Sequence, residues 1–229
     1  MKQIITLGLA IMIALASSAQ KNVTQFLGIP VDGTKTSMIQ KLKAKGYSYN
    51  AKLDYLKGEF NGREVLIRIG TNNNKVWRIM VTDAHPTRSE TDIRIRFNTL
   101  CQQFSENTKY VVPSFVTESY EIKEDEDIST QMALYNKRYE ANYWQVTEAD
   151  KDAIQKTLRH FQDKSENEII KMDSSNIKEG LNDILTGIDY LTNIISKKSV
   201  WFMIAENYGQ YYIIMYYDNE KNKANGEDL

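Results

Sequence analysis

The chain has 229 residues, with 29 Lys and Arg against 30 Asp and Glu and a formal net charge of −1. That balance argues against nucleic acid or an anionic membrane surface as partner, because both select concentrated positive charge. Cys101 is the only cysteine, which excludes an internal disulfide and leaves stability to core packing.

Residues 1–19 read as a secretory signal peptide. Lys2 supplies the positive n-region, residues 4–16 form an apolar run, and Ser17-Ser-Ala19 places small residues before a cleavage at Gln20. The run is shorter than the roughly 20 apolar residues a bilayer span needs. The alternative is an uncleaved N-terminal anchor. No cysteine follows the run, so lipid attachment there is not expected, and no other segment reaches transmembrane length. The expected location is periplasmic or extracellular. Residues 20–229 have room for one large domain or two small ones.

In chain order, Phe26-Leu-Gly-Ile-Pro-Val-Asp-Gly33 is extended and ends in turn residues. A helix starting near Thr36 carries Met38, Ile39 and Leu42 on one side and stops at Gly46. Three strands follow. Residues 55–60 and 63–69 join at Asn61-Gly62, a type I′ hairpin signal, and Asn72-Asn-Asn74 leads to a third strand with Trp77, Ile79 and Val81 on one face. Their alternation predicts one dry side and one wet side. A second helix over 89–106 presents Ile93, Phe97, Leu100, Cys101 and Phe104 as one stripe, with Ser89 and Asp92 spaced for capping.

Beyond it, residues 110–113 form a short strand or extended link that Pro113 confines to an edge. Strands are predicted over 115–122, 130–135 and 138–145, the last two turning at Asn136-Lys137, with the acidic run Glu124-Asp-Glu-Asp127 between the first two. Thr147 begins a helix carrying Ile154, Leu158 and Phe161, and a long amphipathic helix covers 176–197. It leads into a hairpin over 199–217, turning at Asn207-Tyr-Gly-Gln210. Val200, Phe202 and Ile204 oppose Trp201, Met203 and Ala205, so both faces are apolar, and the expected hairpin is covered on both sides.

The fold class is therefore α+β: antiparallel meander sheet with helices on one side, and units of a helix followed by strands recurring as many as three times. The organisation is a helix–three strands–helix subdomain over 20–112 and a second α+β subdomain over 113–229 ending in the buried hairpin, or one continuous domain. Phe26-Leu-Gly-Ile-Pro-Val-Asp-Gly-Thr with Met38-Ile-Gln-Lys-Leu-Lys-Ala-Lys-Gly-Tyr47, and the ending from Val200-Trp-Phe to Gly-Glu-Asp-Leu229, resemble a group of uncharacterised exported proteins of Gram-negative bacteria. The resemblance implies an envelope location and no activity. The helix-then-meander order is similar to β-lactamase-inhibitor-like and outer-membrane-assembly lipoprotein (BamE-type) αβ units, although the lipid-attachment cysteine of the latter is missing.

Cys101 lies on the apolar stripe of its helix, as an inert buried thiol does, and His85 and His160 lack metal-ligand spacing. The acidic run and the stretch Asp218-Asn-Glu-Lys-Asn222 read as solvated turns rather than calcium loops, since the latter has Lys223 where an EF-hand loop has its sixth-position Gly. No catalytic, cofactor or metal residue is assigned, and no cofactor is expected. The aromatics are the exception: Trp77, Trp144, Trp201, Tyr208, Tyr212 and Tyr216 are the candidate ligand surface, weighed against a role in core and sheet edge. The first expectation is a non-catalytic envelope module binding a protein. The alternatives are a glycan-binding module using the same rings and an enzyme with an unrecognised site.

Overall fold

The computed structural model describes residues 22–113, 116–148, 150–152, 155, 189 and 192–224. Their elements are β1 (Gln25–Phe26), β2 (Ile29–Pro30), α1 (Lys35–Ala44), β3 (Ser48–Asn50), β4 (Tyr55–Phe60), β5 (Arg63–Asn72), β6 (Lys75–Asp83), α2 (Glu90–Glu106), β7 (Tyr110–Val111), α3 (Ile128–Tyr135), β8 (Glu140–Gln145), β9 (Lys198–Asn207) and β10 (Gln210–Asn219). β1 and β2 form a small hairpin. The other eight strands make one antiparallel sheet in the order β3-β4-β5-β6-β10-β9-β8-β7. Among the described residues the protein is α+β, and no helix is long and apolar enough to cross a membrane.

That strand order has an internal logic. The run β3 to β6 goes from one edge to the centre, and β7 to β10 goes from the opposite edge to the centre. α1 precedes the first run and α2 the second, so the described elements fall into two helix-plus-four-strand units meeting at β6 and β10. In the second unit α3 lies between β7 and β8. Five residue pairs, Ile214↔Thr82 to Asp218↔Arg78, join the units into a continuous sheet.

Local signals explain most of the elements. Thr34 caps α1 by accepting from the Ser37 amide at 3.3 Å, and Ser89 caps α2 by accepting from the Asp92 amide at 3.1 Å. Asn61 and Gly62 both have positive φ, as a type I′ turn requires. The hydrophobic face is continuous from β4 to β8. Leu56, Ile67, Val81, Met215, Phe202 and Ala141 are successive cross-strand partners, and all are buried. Met38 and Leu42 of α1 join this core, and α2 sets Phe97 5.1 Å and Phe104 5.5 Å from the Phe202 ring. Arg96 of α2 reaches Asp83 at the end of β6 (3.3 and 3.4 Å), so a buried carboxylate on the core face is matched by a buried guanidinium.

Three expectations need correction. Residues 130–135 are not a strand but part of α3, because Asp127 accepts from the Thr130 amide at 2.8 Å and starts a helix where the acidic run ends. Residues 116–122 contain no strand; Asn98 holds the segment through bonds to Ile122 N (2.9 Å) and O (2.8 Å). The closing hairpin, β9–β10, is buried on only one flank. Val200, Phe202, Ile204, Tyr211, Ile213, Met215 and Tyr217 are in the core, whereas Trp201, Met203, Ala205, Tyr212, Ile214 and Tyr216 are half-buried. α1 and α2 pack on the same face of the sheet, and the opposite flank keeps part of its surface in solvent. The predicted signal peptide, most of the helix begun at Thr147 and most of 176–197 lie outside the described residues, although 192–196 are helical.

Gly58 of β4 marks a close approach. A Cβ there would meet ring atoms of Tyr47 at 2.5, 2.9 and 3.2 Å, and that ring is held by its hydroxyl, which donates to Glu59 O at 2.8 Å. Gly58→Ala therefore displaces a buried ring. The expected cost is about 1–3 kcal/mol, read as a lower urea midpoint at unchanged slope; a neutral result would show that Tyr47 is free to move.

Candidate functional site

The half-buried flank of the hairpin belongs to the outer face of the whole sheet, where strand register lines residues up in rows. One row is Arg68, Met80, Tyr216, Trp201 and Asn142; the next is Gly70, Arg78, Asp218, Ser199 and Trp144. Trp144, Trp201 and Tyr216 therefore share a face and neighbouring rows. Tyr212 is on the same face further along β10, opposite Ala205.

Trp77 joins them through an irregularity. The β5–β6 register passes from Gly70↔Arg78 to Thr71↔Val76, which leaves Trp77 as the extra residue of a bulge. Simple alternation puts Trp77 with Ile79 in the core. The bulge gives Val76 that buried place, and the Trp77 indole lies beside Arg78 and over Gly70. A Cβ on Gly70 would stand in ordinary contact with the indole Nε1, at 3.4 Å, and more tightly against Arg78 Cβ, at 3.3 Å.

Arg78 is the centre of the cluster. Its Nε and Nη2 donate to the two oxygens of Asp218, each at 2.6 Å, in the bidentate geometry that suits guanidinium and carboxylate. The Trp201 Nε1 donates to the same carboxylate at 3.0 Å. The Arg78 Cζ sits 4.3 Å from the Trp77 ring centroid, 4.5 Å from Tyr216 and 5.5 Å from Trp201. Trp201 and Tyr216 are direct cross-strand partners and stack at 4.1 Å and 19°. Burial pushes the Tyr216 hydroxyl above its usual value, opposed by the Arg78 charge. The rings are thus fixed by one cation whose own charge is met by one carboxylate.

Chemically the cluster offers ring surface rather than a free charge or a reactive group. The Asp218 carboxylate is spent on Arg78 and Trp201. The guanidinium is neutralised, so the cluster does not select anions. Tyr208, at the tip of the β9–β10 turn, is 92% exposed and has φ 51°. The corresponding positions of the β4–β5 and β5–β6 turns are Asn61 and Asn73, residues that tolerate positive φ. Sequence reasoning names the aromatics, misses Arg78 and reads Asp218 as part of a solvated turn, whereas Asp218 and Asn219 are buried at the end of β10. Arg78 and Asp218 are 140 residues apart, and only strand register makes them neighbours.

The remaining candidates have structural surroundings. Cys101 is buried between α2 and β8, where Tyr143 donates to its backbone carbonyl at 3.3 Å, and burial pushes the thiol up to about 12. His85 is exposed and its Nε2 lies 2.8 Å from Glu64; His160 is outside the described residues. Asp127 caps α3, while Glu126 pairs with Lys137 and accepts from the Tyr139 hydroxyl at 2.6 Å. Among the described residues no group of three or more His, Cys, Asp or Glu is placed to hold a metal.

Two outcomes follow. Arg78→Ala leaves the Asp218 carboxylate, 2% exposed, without its cation, and is expected to cost about 1–3 kcal/mol in urea unfolding. Arg78→Lys recovers only part of that, since it restores charge without fork or stacking. A disulfide reagent at pH 8 is expected to leave Cys101 unmodified in the native protein and to modify it at once in denaturant, because little thiolate forms below the raised value and the sulfur is covered. Fast native labelling would contradict the packing of α2.

Comparison with protein-family models, with curated proteins and with solved structures finds no match to this chain.

Proposed function

We propose that the chain is a non-catalytic envelope protein that binds another protein through the outer face of its sheet. The observation that carries this reading is the cluster of Trp77, Arg78, Trp201 and Tyr216. Trp, Tyr and Arg are the residue types that dominate protein-interface hot spots, and here they are preordered, which lowers the entropy cost of binding. Tyr208 supports it. A bulky aromatic side chain in the left-handed region, almost wholly in water, costs backbone energy that Asn at the same place avoids.

Photo-crosslinking tests the reading. A photoreactive residue replaces Tyr212 in the protein expressed in its own cells, and envelope fractions are analysed for adducts. The expected result is one discrete protein adduct, lost in Trp201→Ala and weakened in Tyr208→Asn. Tyr208→Asn is at the same time expected to raise stability by up to about 1 kcal/mol, so its loss of adduct is not a loss of fold. No discrete adduct, or one indifferent to both substitutions, overturns the proposal.

A further inference from the structure

The helix side of the sheet holds a second feature, independent of the aromatic face. A cavity of about 780 Å³ opens between the β1–β2 hairpin, the β4–β5 turn, the last turn of α2 and the end of β8. Its volume is in the range of small-molecule sites, roughly 300–1,000 Å³. Tyr217 of the central strand lies at its base, so the cavity sits near the seam between the two helix-plus-strand units.

The lining is unusual in kind. Five carboxamides face the cavity: Gln25, Asn61, Gln103, Asn107 and Gln145. Gln145 is committed to the fold, since it accepts from the Gln25 amide at 2.6 Å and donates to the Gln25 carbonyl at 3.0 Å. The others retain capacity among the described residues. Asn61 Nδ2 donates to Gln103 Oε1 at 2.8 Å, which leaves Asn61 Oδ1 and Gln103 Nε2 for a ligand. Asn107 Oδ1 accepts from the Lys109 amide at 3.1 Å, which leaves its Nδ2. The aromatic part of the lining is the edge of buried Phe104, tilted at 54° against Tyr110 with ring centroids 4.5 Å apart, together with Phe60. Burial holds the Tyr217 hydroxyl, bonded to that of Tyr110, well above its usual value, so the base of the cavity is neutral.

The charges narrow the ligand. Glu59 and Glu148 against Lys109 give no excess of positive charge, and the C-terminal end of α2 adds partial negative charge with no basic residue in its last turn. An anion is disfavoured. A wholly apolar ligand would cover amide groups without bonding them, which is costly. A carboxamide offers two donors and an acceptor side by side, matching hydroxyls that both give and take hydrogen bonds, and ring surfaces accept the C–H faces of a sugar.

We infer that this cavity binds a neutral, hydroxyl-rich ligand, a short saccharide. The test is a set of backbone amide resonances recorded with maltotriose, xylotriose and chitotriose, and with spermidine and inorganic phosphate as charged probes. The expected result is that at least one trisaccharide shifts resonances of residues lining the cavity. Asn61→Gly with Gln103→Ala, which keeps the turn and the helix, then weakens that binding by about tenfold or more. Trp201→Ala leaves it unchanged, so failure here is separable from failure of the sheet-face proposal. Shifts from none of the sugars, binding that survives the double substitution, or tighter binding of either charged probe would overturn the assignment.

Discussion

Ile214 to Asp218 of β10 lie opposite Thr82 to Arg78 of β6, and among the described residues this antiparallel seam is the strand pairing that joins the two four-strand units. Without it the N-terminal meander has an open hydrophobic edge at β6, and the C-terminal strands have another at β10. The seam is long in sequence, more than a hundred residues, so its formation must overcome loop-closure entropy before the contacts reward it. What compensates is visible at its two faces. On the helix side Val81 meets Met215 and Ile79 meets Tyr217, all buried. On the other side Arg78 and Asp218, direct partners across the seam, form the bidentate pair around which the rings collect. The candidate surface and the joint of the fold are therefore the same residues. A substitution that empties one weakens the other.

The strand that closes the sheet also anchors the start of the described chain. Thr24 donates its hydroxyl to the Asp218 carbonyl, Val31 donates to the Thr24 carbonyl at 2.8 Å, and Asn219 donates to the Val31 carbonyl at 2.8 Å. Just beyond, Asn222 bonds Asp32 and Val76, each at 2.9 Å. At the head of β9, the wholly buried Lys198 pairs with Asp150 and donates to Asn22 at 3.2 Å. Burial opposes charge on both members of that pair. On Asp150 its effect is outweighed by Lys198 and Thr147, which hold the carboxyl below its usual value; on Lys198 burial prevails and lowers the ammonium's value. Such a pair contributes less to stability than to register, because its desolvation cost is large and a misplaced strand would leave either charge alone.

The parts of the fold legible in the sequence were those where a local pattern and its tertiary use coincide. Asn61-Gly62 names its turn, and Ser89 names the start of α2. Leu56, Val65, Ile67 and Ile69 alternate because one face of their strands is dry. Three readings failed for separable reasons. Met132, Leu134 and Tyr135 have strand-like character, and the Asp127–Thr130 cap that makes them helical was hidden inside an acidic run. The hairpin reads as covered on both sides only when Trp201 and Tyr212 count as apolar. Indole and phenol have a wet end, and a face made of them is satisfied half-buried. Trp77 followed the alternation of Ile79 and Val81 on paper, and a bulge undid it. The six aromatics proposed as a surface were found by composition. The cavity was not, because it is assembled from the β4–β5 turn, the end of α2 and the N-terminal hairpin, none of which carries a motif.

Both candidate surfaces avoid an excess of charge by different means. On the outer face a guanidinium is cancelled by a carboxylate at 2.6 Å, and what remains for a partner is ring surface. On the helix side the cavity has amides where a charged site would have lysines or arginines. At either proposed surface, association without a local excess of charge is expected to be unsteered and to depend little on salt. Discrimination must then come from contact itself: the fit of rings held by Arg78 on one side, and the donor–acceptor order of Asn61, Gln103 and Asn107 on the other. The same hydrogen-bonded pairing that places β10 between β6 and β9 also decides which side chains stand on the outer face.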